Sequence, residues 1–563
     1  MNLMGSIHVG SSGLQTSQNA LNATAHNLSN VETKGYVRQQ VLLGDRQYNY
    51  AASTAAVGPQ QAGLGVEFSK IRQVRDYFLD LAYRKEVGRG SFYDTCYETT
   101  SELETLLGEM NGAAFQDTLD VLWTAVEELQ KDPASSVTQG QFINVCNQFL
   151  DRAGSVYDGL ANYQDNLNAR IKDMVDNIND IGDKLCKLNH SILTVELSSE
   201  TANDMRDQRN HLMDELAKYV QYDYTVNSDG VVEVRIEGET FVARSKNQPF
   251  YMGYTKDQAT DFYTPTWPWA DDQPVFDCSQ EISTAKNTNI GQLKSMVLAR
   301  GDRRANYSDV SSEYTDPVTG ETVDLYNKGA TGKMATANSI VMNAMGELDQ
   351  LVHKMVTDIN NILTGEKSTI DAGGIPTYDN VNDLPKELFV RLGTERYVED
   401  GGQYKYVEED ISRSPMNVSS MYTLSNLKIN PELIKQPTLL GYPDSGMLKA
   451  DGSVDQDKAD GLAKAFSDFS LILNPNVTKI SSYKEYYTDL VSMAANSGDV
   501  YKSFSDAQAL TVDSLDDSRQ QIMGVNSSEE LSNMIKFQNA YNASSRFINA
   551  VNDMLEHLIN RLS

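Results

Sequence analysis

Residues 1–31 read MNLMGSIHVGSSGLQTSQNALNATAHNLSNV, and none of them is Asp, Glu, Lys or Arg. The first charged side chain is Glu32, in a chain that is 22% charged. Ser, Asn, Gly and Thr crowd the stretch, so it is no membrane segment. Ile7, Leu14, Leu21 and Leu28 recur every seven residues, a spacing that places them on one helical stripe. The pattern predicts a helix over 3–31. That helix is weak on its own, because Gly, Ser, Asn and Thr are poor helix formers. A stripe accounts for burial on one side. The missing charges predict that much of the other side is covered too.

The far end repeats the theme. Met534, Tyr541, Ile548, Leu555 and Leu562 are seven apart, and Phe537, Val551 and Leu558 follow members of that series by three. From Phe537 to Asn552 the one charge is Arg546. Two such helices at opposite ends of a chain predict a paired device for building an assembly. Between them, Leu160, Leu167, Met174, Ile181, Leu188 and Val195 interleave with Ile171, Ile178, Leu185 and Ile192 over five heptads. This predicts a helix over 158–197, preceded by one from Ser135-Ser136 to about Tyr157 and by others over 74–107 and 115–130. Residues 204–220 are expected to fold back on it.

The order beyond is β, helix, β, helix. Tyr222, Tyr224 and Val226 alternate, Asn227-Ser228-Asp229-Gly230 supplies a turn, and Val232, Val234 and Ile236 alternate again, a hairpin signal. Helix returns near Gln292 and over 334–364. Residues 365–470 carry six of the 14 prolines and read as a surface-facing β-rich insertion that the rest of the chain could spare. The last helical block starts near Ser481, and Ser527 with Glu530 matches a capping box. The fold class expected is α+β multidomain: a terminal α-helical coiled coil with N- and C-terminal helices paired, a long helical-bundle domain, and inserted β-rich domains. The expected division is 1–40 plus 525–563 (terminal assembly domain), 41–220 plus 291–365 plus 480–524 (helical domain), 221–290 (β-rich subdomain) and 366–479 (inserted β-rich outer domain).

With 563 residues, 40% hydrophobic, the chain has ample material for several cores. Its formal charge of −30 repels nucleic acid and anionic membrane, so neither is an expected partner. No window approaches the roughly 20 apolar residues that span a bilayer. No basic and apolar leader is read at the N-terminus, which points to the cytoplasm or to export without a signal peptide. Cys96, Cys146, Cys186 and Cys278 form no CxxC pair and read as small core residues. The six histidines are scattered, and no HExxH, Walker or GxSxG pattern occurs. Asp204, Asp207 and Asp214 are interleaved with Arg206 and Arg209, which reads as a solvated or salt-bridged face. Trp267 and Trp269 read as packing residues of a β-domain. No catalytic residue, cofactor or metal is expected.

Ala25-His26-Asn27-Leu28-Ser29-Asn30 followed by Thr33-Lys34-Gly35-Tyr36-Val37-Arg38-Gln39 resembles the N-terminal signature of bacterial flagellar axial proteins, which build rod, hook and hook–filament junction. Lys34 stands where that signature has proline. Gly524-Val525-Asn526 and the run from Glu529 to Arg546 resemble the C-terminal signature of the same group. Leu122-Trp123, Asp132-Pro133-Ala134-Ser135-Ser136 and the 202–216 segment are similar to its first hook-associated family. The resemblance implies a structural role at the hook–filament junction of an extracellular flagellum, and export by the flagellar type III route. It implies as partners other copies of the chain in a helical ring, hook protein, a neighbouring hook-associated junction protein and, before secretion, a flagellar export chaperone. It adds Asn27, Asn30, Gly35 and Tyr36 to the stripe residues as assembly-interface candidates, and it implies ends that order on assembly. Hook or distal rod protein, a secreted flagellum-borne enzyme and a cytosolic coiled-coil scaffold are the alternatives.

Overall fold

The computed structural model describes all residues except 1–2, 34, 46–48, 51–60, 63–64, 109–114, 198–200, 245, 316–319, 321, 330–332, 365–376, 412–417, 442–446, 450–451 and 563. In chain order its α-helices are α1 (Leu3–Ser29), α2 (Tyr77–Leu107), α3 (Phe115–Lys131), α4 (Ser136–Glu196), α5 (Asn203–Tyr219), α6 (Gln292–Arg300), α7 (Ile340–Thr364), α8 (Pro431–Lys435), α9 (Gln456–Ser467), α10 (Tyr483–Met523) and α11 (Ser527–Leu562). The strands lie in several small antiparallel sheets of two or three. The α+β multidomain class expected from the sequence is what the chain adopts. Two compact units divide it: Met1–Gly90 with Asp176–Met252 and Ala507–Ser563, and Ser91–Val175 with Gly253–Asp506. Three of the four boundaries fall inside α2, α4 and α10, and the fourth lies between Met252 and Gly253.

α4 corrects one expectation. It is a single helix of 61 residues, about 90 Å long, with no break at Tyr157. No proline lies between Pro133 and Pro249 to stop it, and Gly154 and Gly159 are absorbed mid-helix. The heptad positions Leu160, Leu167, Met174 and Ile181 are buried together with Ile171, Ile178, Leu185 and Ile192.

In the first unit α5 folds back on α4. Arg206 forks onto Glu196 with Nε–Oε1 and Nη2–Oε2 both 2.7 Å, and buried Arg209 donates to Asn189 Oδ1 and to Gly230 O. The hairpin of Tyr222–Val226 and Val232–Ile236 has the expected register, Val226 opposite Val232, and gains a third strand, Glu239–Val242. Asn189 fixes it to α4 by accepting from Val232 N–H and donating to Val232 O. The second sheet of the 221–290 segment, Gly253–Lys256 with Tyr263–Trp267 and Gln273–Pro274, belongs to the other unit. There Trp267 is buried and Trp269 is exposed.

The second unit is centred on α7, where an unbroken run from Ala344 to Asp349 is buried. Such a helix is covered on more than one face. The covering comes from residues 307–310, α6 and residues 336–338 together with α9 and residues 424–426, so the segment 377–472 packs on this core rather than only facing the surface as expected. Asn360 on α7 accepts from the N–H of Leu388 and Phe389 and donates to Phe389 O. Asp349 accepts from Leu424 N–H at 2.7 Å and Tyr307 N–H at 2.9 Å. α9, absent from the sequence reading, buries Ala459 and Leu462, and Phe466 stacks near Trp123 and Tyr483. Replacing 366–470 by a Gly/Ser linker should therefore abolish the cooperative thermal transition of this unit. It removes α9 from the face of α7, orphans the polar groups of Asn360 and takes one of the two backbone bonds from Asp349. A soluble variant that melts like the parent would contradict this.

Glu347, buried in the same run, receives a 2.7 Å hydrogen bond from Asn474 Nδ2. Burial pushes its carboxyl up to about 8, against the opposing bonds from Asn474 and Asn343. The folded chain then keeps a proton that the unfolded chain releases near pH ~4.3. Stability should fall as pH rises from that value to about 8 and level off above it, the slope approaching ~1.4 kcal/mol per pH unit from this group. Glu347→Gln should flatten the slope in urea titrations run across this range. An unchanged slope would refute the assignment.

Candidate assembly interface at the paired chain ends

α1 and α11 run antiparallel. Gly10 faces Ile548 and Phe547, Gly13 faces Ser544, and Asn27 reaches Glu530. A Cβ on Gly10 would lie 2.7 Å from Ile548 Cγ1, so glycine is what lets the helices approach here. α1 also packs against the strands Gln39–Asp45 and Val66–Gln73, with Val66 N–H donating to Ser12 Oγ. This second surface gives α1 more to bury than a two-helix pair offers, whereas α11 packs on α1.

The most buried positions of α1 are Gly10, Ser12, Thr16, Ser17, Ala20, Ala23, Thr24 and Asn27, rather than the heptad stripe. Ile7, Leu14, Leu21 and Leu28 are half-buried. The reason is the two-sided packing, which moves the buried centre onto small residues between α11 and the strands. Hydroxyls are tolerated there because they bond back to the helix: Thr16 to Ser12 O, Ser17 to Gly13 O and Thr24 to Ala20 O. On α11, Met534, Phe537, Tyr541, Ile548 and Leu555 are half-buried, Val551 is buried and Leu558 is exposed. The Leu562 side chain and Lys34 lie outside the described residues. Leu531, Ile535, Phe547, Met554 and Ile559 are exposed apolar side chains on the same helix.

Gly35 turns the chain with a φ of +81°, in the left-handed region that glycine favours. Asn30 holds the helix end, donating to His26 O and accepting from Thr33. The turn aims residues 36–39 back across the end of α1, where every polar group of Asn27 is used. Its Oδ1 accepts from Gln39 N–H and from the Tyr36 hydroxyl, each at 2.9 Å, and its Nδ2 donates to Gln39 O at 2.8 Å and Glu530 Oε2 at 3.2 Å. The Tyr36 hydroxyl also lies 2.8 Å from His26 Nδ1. Burial raises its pKa, helped by Asp204, Asp207 and Glu530. Arg38 forks onto both acids in the first turn of α11, Nε to Glu530 and Nη2 to Glu529, each at 2.8 Å. Its N–H donates to Met523 O, the last residue of α10. Val37 N–H and Gln73 Nε2 donate to Asp207, whose carboxyl burial pushes up to about 7. Arg38, Gln39, Asp207 and Glu530 are the residues that sequence reading missed. The signal was present: Arg38 and Glu529-Glu530 are charges bordering two nearly uncharged segments.

The capping box expected from Ser527 and Glu530 does not form. Asn526 caps α11 instead, its Oδ1 accepting from the N–H of Ser528 and Glu529, which leaves Glu530 free to turn inward. The acidic face of α5 is also more buried than expected. Asp214 bridges Arg84 Nε at 2.6 Å and Arg519 Nη2 at 2.8 Å, and Arg519 stacks over the Tyr83 ring. Among the described residues no group of three or more His, Cys, Asp or Glu could hold a metal ion. No helix is long and apolar enough to cross a membrane.

Both ends match flagellar family models. Residues 7–36 match the flagella basal body rod protein family and 519–562 the C-terminal family of the basal body rod proteins FlgEFG. Ends of this kind, paired in one chain, define an axial structural protein of the bacterial flagellum. The interior narrows the class, since residues 100–369 match the helical domain of flagellar hook-associated protein FlgK. Flagellar hook-associated protein 1 of Bacillus subtilis is 23% identical over 97% of this chain and 96% of its own length. The Salmonella typhimurium protein of that name is 24% identical over 98% of each. The flagellar hook junction protein FlgK from Burkholderia pseudomallei aligns with 78% of this chain and 99% of its own at 12% identity and a TM-score of 0.47. Along nearly its whole length the chain is similar to the proteins named flagellar hook-associated protein 1, and it is a structural component of the bacterial flagellum that assembles with other flagellar parts.

Proposed function

We propose that the chain forms the junction between hook and filament, by self-assembly through its paired end helices. The observation that carries this reading is α11. One flank packs on α1, while Leu531, Ile535, Phe547, Met554, Leu558 and Ile559 stay exposed, and between Phe537 and Asn552 the one charge is Arg546. Apolar side chains gathered on a surface point to a partner that covers them. The relatives' name, flagellar hook-associated protein 1, supports a place at the hook. The stripe residues Ile7, Leu14, Leu21 and Leu28 with Met534, Phe537, Tyr541, Ile548, Val551, Leu555, Leu558 and Leu562 make the seam. Asn27, Asn30, Gly35 and Tyr36 shape its lower end. Other copies of the chain, hook protein and a neighbouring hook-associated protein are the contacts, and the role is structural rather than enzymatic. Export follows the flagellar type III route with a chaperone. Segments 1–40 and 525–563 act as the assembly domain on a helical body, with 221–290 and 366–479 as β-rich additions. Electron microscopy of cells lacking the gene tests the placement: hooks without filaments are expected, and normal filaments on all hooks would overturn it.

A further inference from the structure

We infer that the helical body carries a self-assembly contact of its own, in which the outer face of α2 on one copy meets the outer face of α10 on the next. The inference rests on the reading that copies of the chain assemble, and it places a contact apart from the end helices. Within the first unit α2 and α10 lie side by side. Gln508 Nε2 donates to Glu86 O at 3.3 Å, and a Cβ on Gly90 would lie 3.5 Å from Gln508 Cγ. Arg519 stacks 4.1 Å over the Tyr83 ring, with its Nε 3.0 Å from Asp80 Oδ1. A helix turns about 100° per residue. Phe78, Leu81 and Lys85 therefore stand about half a turn from Tyr83, Glu86 and Gly90, on the side of α2 away from α10. By the same count Leu510, Asp513 and Asp517 stand half a turn from Gln508 and Arg519, on the side of α10 away from α2. The pair is a slab with two free edges. All six edge residues are exposed, Phe78 to 80% and Leu510 to 72%.

The two edges are unlike, and they match each other. The exposed residues of α2 from Tyr77 to Gly90 are Tyr77, Phe78, Leu81 and Lys85, an apolar stripe ending in one base. The strand that leads into it exposes Lys70 and Arg72. From Ala507 to Met523, α10 exposes Asp513 and Asp517 beside Leu510, while its one base, Arg519, is buried. A phenylalanine held in water on a rigid helix points to a surface that covers it. Both halves of the fit lie on one chain, so the occupant is a second copy. A contact between two different patches of identical chains propagates from copy to copy by rotation, as a ring or helix requires. The charges also choose the orientation. Copies of a chain with a formal charge of −30 repel one another over most of their surface, and Lys85 against Asp513 and Asp517 is attractive in this arrangement alone.

The test uses the full-length chain with Cys278→Ser, which leaves Cys96, Cys146 and Cys186, all buried. Leu81→Cys and Leu510→Cys are combined in one chain, and hook–filament fragments sheared from the cells are treated with a short bismaleimide linker. A denaturing gel should show a ladder of linked dimers, trimers and larger species. Each single-cysteine variant, and the double variant as purified free subunit, should stay monomeric. Phe78→Asp added to the double variant should cut the ladder about tenfold or more, the scale of losing one aromatic anchor. The thermal transition of the free subunit should not move with it, because the Phe78 side chain already stands in water. Lys85→Glu should also weaken the ladder, and Asp517→Lys added to it should restore it. If the leucine pair keeps filaments from attaching, Lys85→Cys with Asp517→Cys probes the same two edges. Fragments that contain the chain but give no ladder with either pair, or that give dimers with one cysteine alone, overturn the contact and leave assembly through the chain ends standing. Fragments that lack the chain overturn the assembly reading itself.

Discussion

Replacing Asp214 by alanine should destabilise the unit that holds the chain ends by about 3–5 kcal/mol, the range for removing one partner of a buried ion pair. Asp214 on α5 serves two cations at once. Arg84 on α2 reaches one oxygen and Arg519 on α10 the other. Arg84 and Arg519 are 4% and 5% exposed, so neither can turn to water once the carboxylate is gone. Asp80 still meets Arg519, but Arg75 already shares it. Burial alone would raise the Asp214 carboxyl; Arg84 and then Arg519 outweigh it and hold it below the usual range. The sign follows. A depressed carboxyl contributes its full stability above the unfolded value, near pH ~3.9, and loses it as pH falls through the folded one. Asp214→Asn should therefore lower stability at neutral pH and weaken the acid dependence together. Thermal melts, with hydrogen exchange over 203–219 as the local readout, decide it. A loss below ~1 kcal/mol in both variants would mean that the two arginines find other partners.

Much of this fold is legible because period and punctuation agree with packing. The interleaved heptads of 160–195 become the buried line of α4, and Asn227-Ser228-Asp229-Gly230 becomes the hairpin turn with Val226 opposite Val232. Errors arise where a local rule competes with a distant partner. Ser527-x-x-Glu530 satisfies the capping pattern, yet Glu530 has a better bond in Arg38, 492 positions away, and Asn526 takes the cap. A proline-bearing, aperiodic segment reads as surface, yet parts of 377–472 pack on α7 through backbone N–H groups that no side-chain pattern encodes. α9 could have been found, since Ala459, Leu462 and Phe466 have helical spacing. At the chain ends the sequence gives the uncharged stripe and both signatures. It does not give the pairing of Asn27 and Arg38 with Glu530, because single-chain periodicity carries no information on which residue of one helix faces which of the other.

Cells carrying Leu21→Asp or Leu555→Asp should make hooks, export the protein, and fail to hold filaments, with filament protein shed to the medium. Both leucines are half-buried in the isolated chain. Aspartate at either site can still turn its carboxylate to water, so the folded subunit survives and its thermal transition should stay near that of the parent. The cost appears on assembly, when neighbours cover the remaining half. A carboxylate enclosed there without a cation costs several kcal/mol per subunit, and the cost recurs at every equivalent contact in a ring. Ala20→Asp makes the contrasting case. Ala20 is 1% exposed within the chain itself, so the charge has no way out and α1 should be displaced from its strands before any neighbour arrives. The two kinds of variant therefore separate a seam from a core. Leu21→Asp and Leu555→Asp should fail only in filament attachment seen by electron microscopy, whereas Ala20→Asp should also lose hydrogen-exchange protection along α1 in the monomer. Normal filament attachment in both leucine variants would remove the stripe from the interface and leave the exposed flank of α11, around Phe547, Met554 and Leu558, as the surface through which the chain ends meet their neighbours.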